Sequence, residues 1–221
     1  MKTLSAKAKI GGFTLIEVIV VLAVLFILVA LLLPVFSRAK SGRVITCLVN
    51  QRQIAIGLIM FKDDHAGKYP WQDSVTNGGS LEFITNGLVF PHFQVLSAYL
   101  GNQTSVLVCP SDRVRHAATN FSGLKNENIS YFVNLDATTN SASILTGDRH
   151  LENHGKPVSS GLFAYSTNMA LSWTRGFHRN AHNKPMGGLS FADSHAQLVE
   201  ADGLNSFLQE QASVTNRLVI P

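Results

Sequence analysis

The chain begins with polar and basic residues, turns apolar without interruption from Val18 to Leu33, and then mixes apolar and polar positions as far as Asp64. Residues 13–33 form a block of 21 residues. At about 1.5 Å per residue, a helix of that length spans about 30 Å, the hydrocarbon thickness of a bilayer. One carboxylate, Glu17, stands near its head. A charged group inside a membrane-spanning helix costs roughly 2.5–3.5 kcal/mol on insertion scales, a cost a plain anchor has no reason to carry. Beyond Pro34, the apolar residues Ile45, Leu48, Val49, Ile56, Ile59 and Met60 recur at helical offsets, with Arg43, Gln51, Arg52 and Gln53 among them. This pattern predicts an amphipathic continuation of the same helix, roughly 78 Å from Phe13 to Asp64, kinked at Pro34 and softened at Gly42.

After Asp64 the period changes. Residues 91–100 predict a short helix with Phe93, Leu96 and Leu100 inward. Residues 105–109, 130–135, 143–145, 162–165 and 171–174 read as short strands rich in Val, Ile, Tyr and Phe and bounded by Asn, Gly and Pro. The clearest hairpin sets residues 188–192 against 195–200, with Asp193-Ser194 at the turn and Leu189, Phe191, Ala196 and Leu198 alternating with polar neighbours. A short helix over 204–211 follows Asp202-Gly203. Residues 74–80 and 136–143 read as surface loops. Strands gathered after one long helix predict an α+β fold, an antiparallel sheet laid on the exposed half of that helix. The chain then divides into a leader (1–12), a long helix (13–64, membrane-spanning over 13–33 and amphipathic over 34–64) and a head domain (65–221) large enough for one compact core.

Charge changes the picture once the leader is set aside. The formal charge is +4, but Lys2, Lys7 and Lys9 all precede Phe13; removing these three of 18 bases leaves 15 against 14 acids. A nearly neutral remainder gives no electrostatic footprint for nucleic acid. Arg38, Lys40 and Arg43 follow the apolar block, so basic residues flank it on both sides. The terminal amine adds to the first flank and places the head domain outside the cytoplasm. In that compartment Cys47 and Cys109, the only cysteines, predict either one disulfide or two unpaired thiols. Neither has a second cysteine two to four residues away, which argues against zinc.

No H-E-x-x-H, G-x-S-x-G or Walker-type loop occurs, so no enzyme is expected. His150 and His154, and again His178 and His182, are four residues apart, but both pairs lie in Gly- and Asn-containing segments that read as loops. His178, His182, Asp193 and His195 form a candidate metal set, weighed against histidines that only hydrogen bond.

Gly12-Phe13-Thr14-Leu15-Ile16-Glu17 followed by the apolar helix resembles the class III prepilin leader of type IV pilins and type II secretion pseudopilins. The resemblance implies that a prepilin peptidase cuts between Gly12 and Phe13, that the new amine of Phe13 is methylated, and that Glu17 guides assembly into a filament. It implies a pilin-like fold, insertion in the bacterial inner membrane, and partners in an assembly platform and in other pilin subunits. Buried in apolar surroundings, Glu17 needs a cation, and the Phe13 amine of a neighbouring copy can supply it, which turns a costly charge into a register signal. A monomeric membrane-anchored binding domain, using the leader only for processing, is the alternative. The residues Cys47 to Ile54, Gly67-Lys68-Tyr69-Pro70, Val108-Cys109-Pro110-Ser111-Asp112, Leu145-Thr146-Gly147-Asp148-Arg149 and Gly187 to His195 are also similar to blocks of pseudopilin-like proteins from planctomycete and verrucomicrobial bacteria. Many of those carry a histidine, nine residues, then Asp-Gly; here ten residues separate His182 from Asp193, and Ser194 replaces the glycine. Some major pseudopilins hold calcium in a C-terminal loop, and Asp193 and Asp202 could contribute oxygens to such an ion. The full cluster is not visible in sequence, and no cofactor is expected.

Overall fold

The computed structural model describes residues 14–166, 168–175, 177–180, 182–211 and 215–221, with the side chains of 32–41, 211 and 215 left aside. Helix α1 is Leu15–Asp64. It closes where Ala66 takes a left-handed backbone (φ 52°) and the Gly67 amide donates to the Lys62 carbonyl at 2.9 Å, the Schellman arrangement that satisfies last-turn carbonyls. Two compact units divide the chain, residues 1–42 and 43–221. In the first, every described side chain from Thr14 to Leu31 is exposed.

In the second unit, α1 is followed by a short helix α2 (Phe90–Gln94) and the strands β1 (Tyr131–Asn134), β2 (Ile144–Asp148), β3 (Leu151–Asn153) and β4 (Lys156–Pro157). Then come β5 (Gly161–Ser166), β6 (Leu171–Trp173), β7 (His178–Arg179), β8 (Pro185–Phe191), β9 (Ala196–Glu200), helix α3 (Ala201–Gln211) and β10 (Thr215–Ile220). The main sheet is antiparallel in the order β5-β10-β1-β2-β8-β7, with β9 also paired to β8; β4-β3-β6 form a small second sheet. Alternation along the strands sends side chains to two cores. Tyr131, Val133, Leu145 and Val219 pack with Cys47, Ile54, Ala55, Leu58 and Phe61 of α1. Phe132, Ile144, Leu189, Leu218 and Ile220 pack on the other face with Leu204 and Leu208 of α3 and with Leu151, Leu171 and Trp173 of the small sheet. The α+β expectation holds: an N-terminal apolar helix and a C-terminal antiparallel β-sheet domain.

Four local expectations are corrected. The helical phase over 45–60 is rotated: the face on the sheet carries Cys47, Gln51, Ile54, Leu58 and Phe61, whereas Ile45, Val49, Ile56 and Met60 are 61%, 47%, 40% and 47% exposed. At about 100° per residue these two sets lie on roughly opposite sides of the helix. Residues 105–109 are not a strand; Thr104–Leu107 is a 3-10 helix, because its flank is held across α1 by Asn50, whose Nδ2 donates to the Val108 carbonyl at 3.0 Å. In the 191–195 turn Ser194 is left-handed (φ 70°) and pairs Leu189 with Gln197, one residue off the expected register. That shift buries Val199 in place of Ala196 and Leu198. Strand β10, unforeseen in the sequence, lies inside the sheet between β5 and β1.

Candidate functional site

At the start of α1, the Thr14 amide donates to Glu17 Oε2 at 2.7 Å, the Thr14 hydroxyl donates to the same oxygen at 2.8 Å, and the Glu17 amide reaches Thr14 Oγ1 at 3.4 Å. This is a capping box, T-x-x-E, in which two otherwise unpaired donors of the first turn are satisfied reciprocally. Sequence reasoning treated Glu17 only as a charge in need of a cation; the spacing from Thr14 held a second role for it. Gly12 and Phe13 lie outside the described residues. Helix α1 runs through Pro34 and Gly42 without a break in its helical backbone.

The titratable groups of the head domain meet elsewhere. Cys47 comes from the buried face of α1; Cys109 follows the 3-10 helix and opens a turn closed by the Asp112 amide on its carbonyl at 2.8 Å. Asp148 ends β2 opposite Tyr131, and His178 opens β7 opposite Met186. All four are buried, and one donor atom from each lies within 4.8 Å of the others. Cys47 Sγ is 3.4 Å from Asp148 Oδ1, Cys109 Sγ is 3.4 Å from His178 Nε2, and His178 Nε2 is 3.6 Å from Asp148 Oδ2. Gln51 Nε2 donates to Asp148 Oδ1 at 3.0 Å and the Gly188 amide to Oδ2 at 2.7 Å; the Tyr131 hydroxyl lies 3.5 Å from Cys47 Sγ. A Cβ on Gly188 would stand 2.5 Å from Gln51 Nε2, so a larger residue there would have to displace the Gln51 side chain that donates to Asp148.

Burial, with the Cys109 anion as a second cause, pushes the Asp148 carboxyl up to about 7. Burial drives the Cys47 thiol well above its ordinary value. The hydrogen bond from Cys47 and the neighbouring His178 outweigh burial at Cys109 and bring its thiol down. Burial alone would lower His178, but the Cys109 and Asp148 anions raise it. Beside the group, Arg149 Nε and Nη2 donate to Asp112 at 2.8 and 3.2 Å, and the Ser130 hydroxyl donates to the same carboxylate at 2.9 Å. That forked pair joins the 109–112 turn to the end of β2.

The candidate metal set from the sequence is therefore split. His178 enters the buried group; His182, Asp193, His195 and Asp202 are exposed. Asp193 pairs with His195 at the tip of the β8-β9 hairpin, and Asp202 pairs with Lys184 at 3.1 Å at the other end of β9, so these acids do not converge on a calcium ion. Cys47 and Cys109, far apart in sequence, stand side by side as free thiols. Local cysteine spacing, which argued against zinc, carries no information on a group whose four members come from four different elements. The better signal lay in the blocks containing Cys47, Cys109 and Asp148, all of which end here, with Gly188 of the last block closing over Asp148.

Residues 7–33 match the family described as a prokaryotic N-terminal methylation motif. No curated protein and no solved structure matches the chain. A leader of this class implies processing by a prepilin peptidase and assembly with pilin-type subunits in general, and with the apolar helix behind it fits anchoring in the inner membrane. The chain thus carries a class III prepilin-type leader, of the kind found at the start of type IV pilins and pseudopilins, which are structural subunits.

Proposed function

We propose that the chain is a structural subunit of a type II secretion-like pseudopilus or a type IV pilus-like filament, assembled through α1. In this reading a prepilin peptidase cuts between Gly12 and Phe13, the amine of Phe13 is methylated, and the protein waits in the inner membrane with its head domain extracytoplasmic. Subunits then enter the filament with Glu17 of one copy facing the Phe13 amine of another, while Pro34 and Gly42 let α1 bend during extraction. The assembly platform of the inner membrane is the expected partner.

The observation that carries the reading is that α1 is apolar on two opposed faces. One is occupied by the sheet, and the other presents Ile45, Val49, Ile56 and Met60 to solvent. A second apolar face on a helix already packed along one side calls for a second partner. The membrane-capable part adds to this: Leu15–Leu31 is apolar and exposed throughout, with Glu17 its only charge. Gly42–Asp64 is also apolar enough to span by length and composition, but one of its faces is buried in the head domain.

Glu17→Gln tests the role of the charge. Glutamine at this place keeps the capping box and removes the carboxylate, so the helix start survives while the partner for a cationic amine is lost. Crosslinking between subunits and recovery of filaments are expected to fall at least tenfold. Intact mass should show that the variant still loses Met1 to Gly12 and gains one methyl group. Unchanged crosslinking in a correctly processed variant would leave the monomeric anchored domain as the better reading.

A further inference from the structure

We propose that Cys47, Cys109, Asp148 and His178 bind one zinc ion, which pins α1 to the main sheet inside the head domain. With Zn–S near 2.3 Å and Zn–N or Zn–O near 2.0–2.2 Å, a tetrahedral ion holds its neighbouring donors roughly 3.3–3.8 Å apart. Three distances across the group, 3.4, 3.4 and 3.6 Å, fall in that range, with Asp148 turning Oδ1 toward Cys47 and Oδ2 toward His178, and one donor atom from each of the four residues lies within 4.8 Å of the others. The carboxylate–imidazole separation of 3.6 Å is too long for a hydrogen bond but fits two ligands of one metal. His178 turns Nε2 toward the group, its Nδ1 has no hydrogen-bond partner among the described residues, and Phe177 packs edge-on against the ring with centroids 5.6 Å apart.

The donor set selects the ion. Two thiolates with one imidazole and one carboxylate suit zinc and are foreign to calcium, which takes oxygen. Four buried protein donors leave no open coordination position, so the site is structural and not catalytic. Charge leads to the same ion. Among the described residues no lysine or arginine pairs with Asp148, yet both its oxygens accept hydrogen bonds, from Gln51 and from the Gly188 amide. A divalent cation balances two thiolates, and the remaining negative charge rests on a carboxylate already clasped by those donors. The Tyr131 hydroxyl is placed to donate to the Cys47 sulfur in the same way.

The test uses the full chain purified in detergent without chelator. Elemental analysis is expected to give one zinc per chain, and X-ray absorption at the zinc edge two sulfur and two nitrogen or oxygen neighbours. Cys109→Ser and Asp148→Asn should each lower zinc content at least tenfold, while His182→Asn and Asp193→Asn retain it. If the ligand variants do not fold, cobalt exchanged into the wild-type chain should give the intense visible bands of a tetrahedral thiolate site. A strong chelator should then lower the thermal midpoint by roughly 10 °C or more, reversed by added zinc. Two results overturn the proposal. One is a metal-free chain whose cysteines both alkylate after denaturation. The other is a chain lighter by two hydrogens before reduction, showing that Cys47 and Cys109 pair as a disulfide.

Discussion

Ser194 carries a left-handed backbone, φ 70°, at the place where the similar proteins write glycine after the aspartate. A residue with a Cβ pays roughly 1–2 kcal/mol for that conformation, from which glycine is largely exempt, although glycine loses some of the gain to its freer unfolded state. Ser194→Gly is therefore expected to raise stability by about 0.5–1 kcal/mol, read as a higher urea midpoint at constant slope. A lower midpoint would mean that the serine hydroxyl has a role the turn geometry does not disclose. At this scale the sequence was partly legible. Asp193 and Ser194 were readable as a turn, but the single left-handed residue that sets the register of β9 was not, because no local pattern distinguishes a two-residue turn from one with a bulge. His178 was legible as a candidate ligand, whereas its partners Cys47, Cys109 and Asp148 were separated by up to 131 residues and only the folded sheet brings them together.

Helix α1 shows the same division at the scale of an element. That a long helix occupies this part of the chain was plain from length and periodicity, and the described helix is Leu15–Asp64. Its seam was not, because the face on the sheet includes Cys47 and Gln51, which look indifferent in a hydrophobic pattern, while the face left open is rich in Ile, Val and Met. Two neighbouring isoleucines separate these faces experimentally. Ile54 is fully buried in the core with Leu58 and Phe61, and Ile54→Ala should cost about 2–4 kcal/mol of stability, from lost transfer energy and the cavity left behind. Ile56 is 40% exposed, and Ile56→Ala should stay within about 0.5 kcal/mol in the monomer while weakening crosslinking between subunits. Equal destabilisation by both changes would place the seam elsewhere and remove the argument for a two-faced helix.

For the whole molecule, the decisive element is the last one. Strand β10 arrives at the end of the chain yet occupies an interior place, pairing six residues with β5 on one side and running beside β1 on the other. It supplies Leu218 and Ile220 to one core and Val219 to the other, and the Pro221 carbonyl accepts from Arg115 Nη2 and the Ser160 hydroxyl, both at 3.0 Å. Nothing local marks it, since Thr-Asn-Arg-Leu-Val-Ile is a short run whose partners lie more than forty residues back; sheet order is a long-range property that no window reads. Among the described residues β10 is the one neighbour of β5 in the main sheet, so the pairing of β5 rests on β10. Deleting residues 215–221 is expected to leave β1 and β5 with open edges and both cores exposed, giving an insoluble chain or one that proteases cut within the 161–166 segment. Removing residues 1–12 leaves the paired strands themselves intact and is expected to leave the thermal midpoint of the head domain unchanged. The two truncations, compared by limited proteolysis in the same detergent, separate a leader that serves processing from a terminus that closes the sheet. A protease-resistant domain after the C-terminal deletion would show that β5 and β1 hold the sheet without β10.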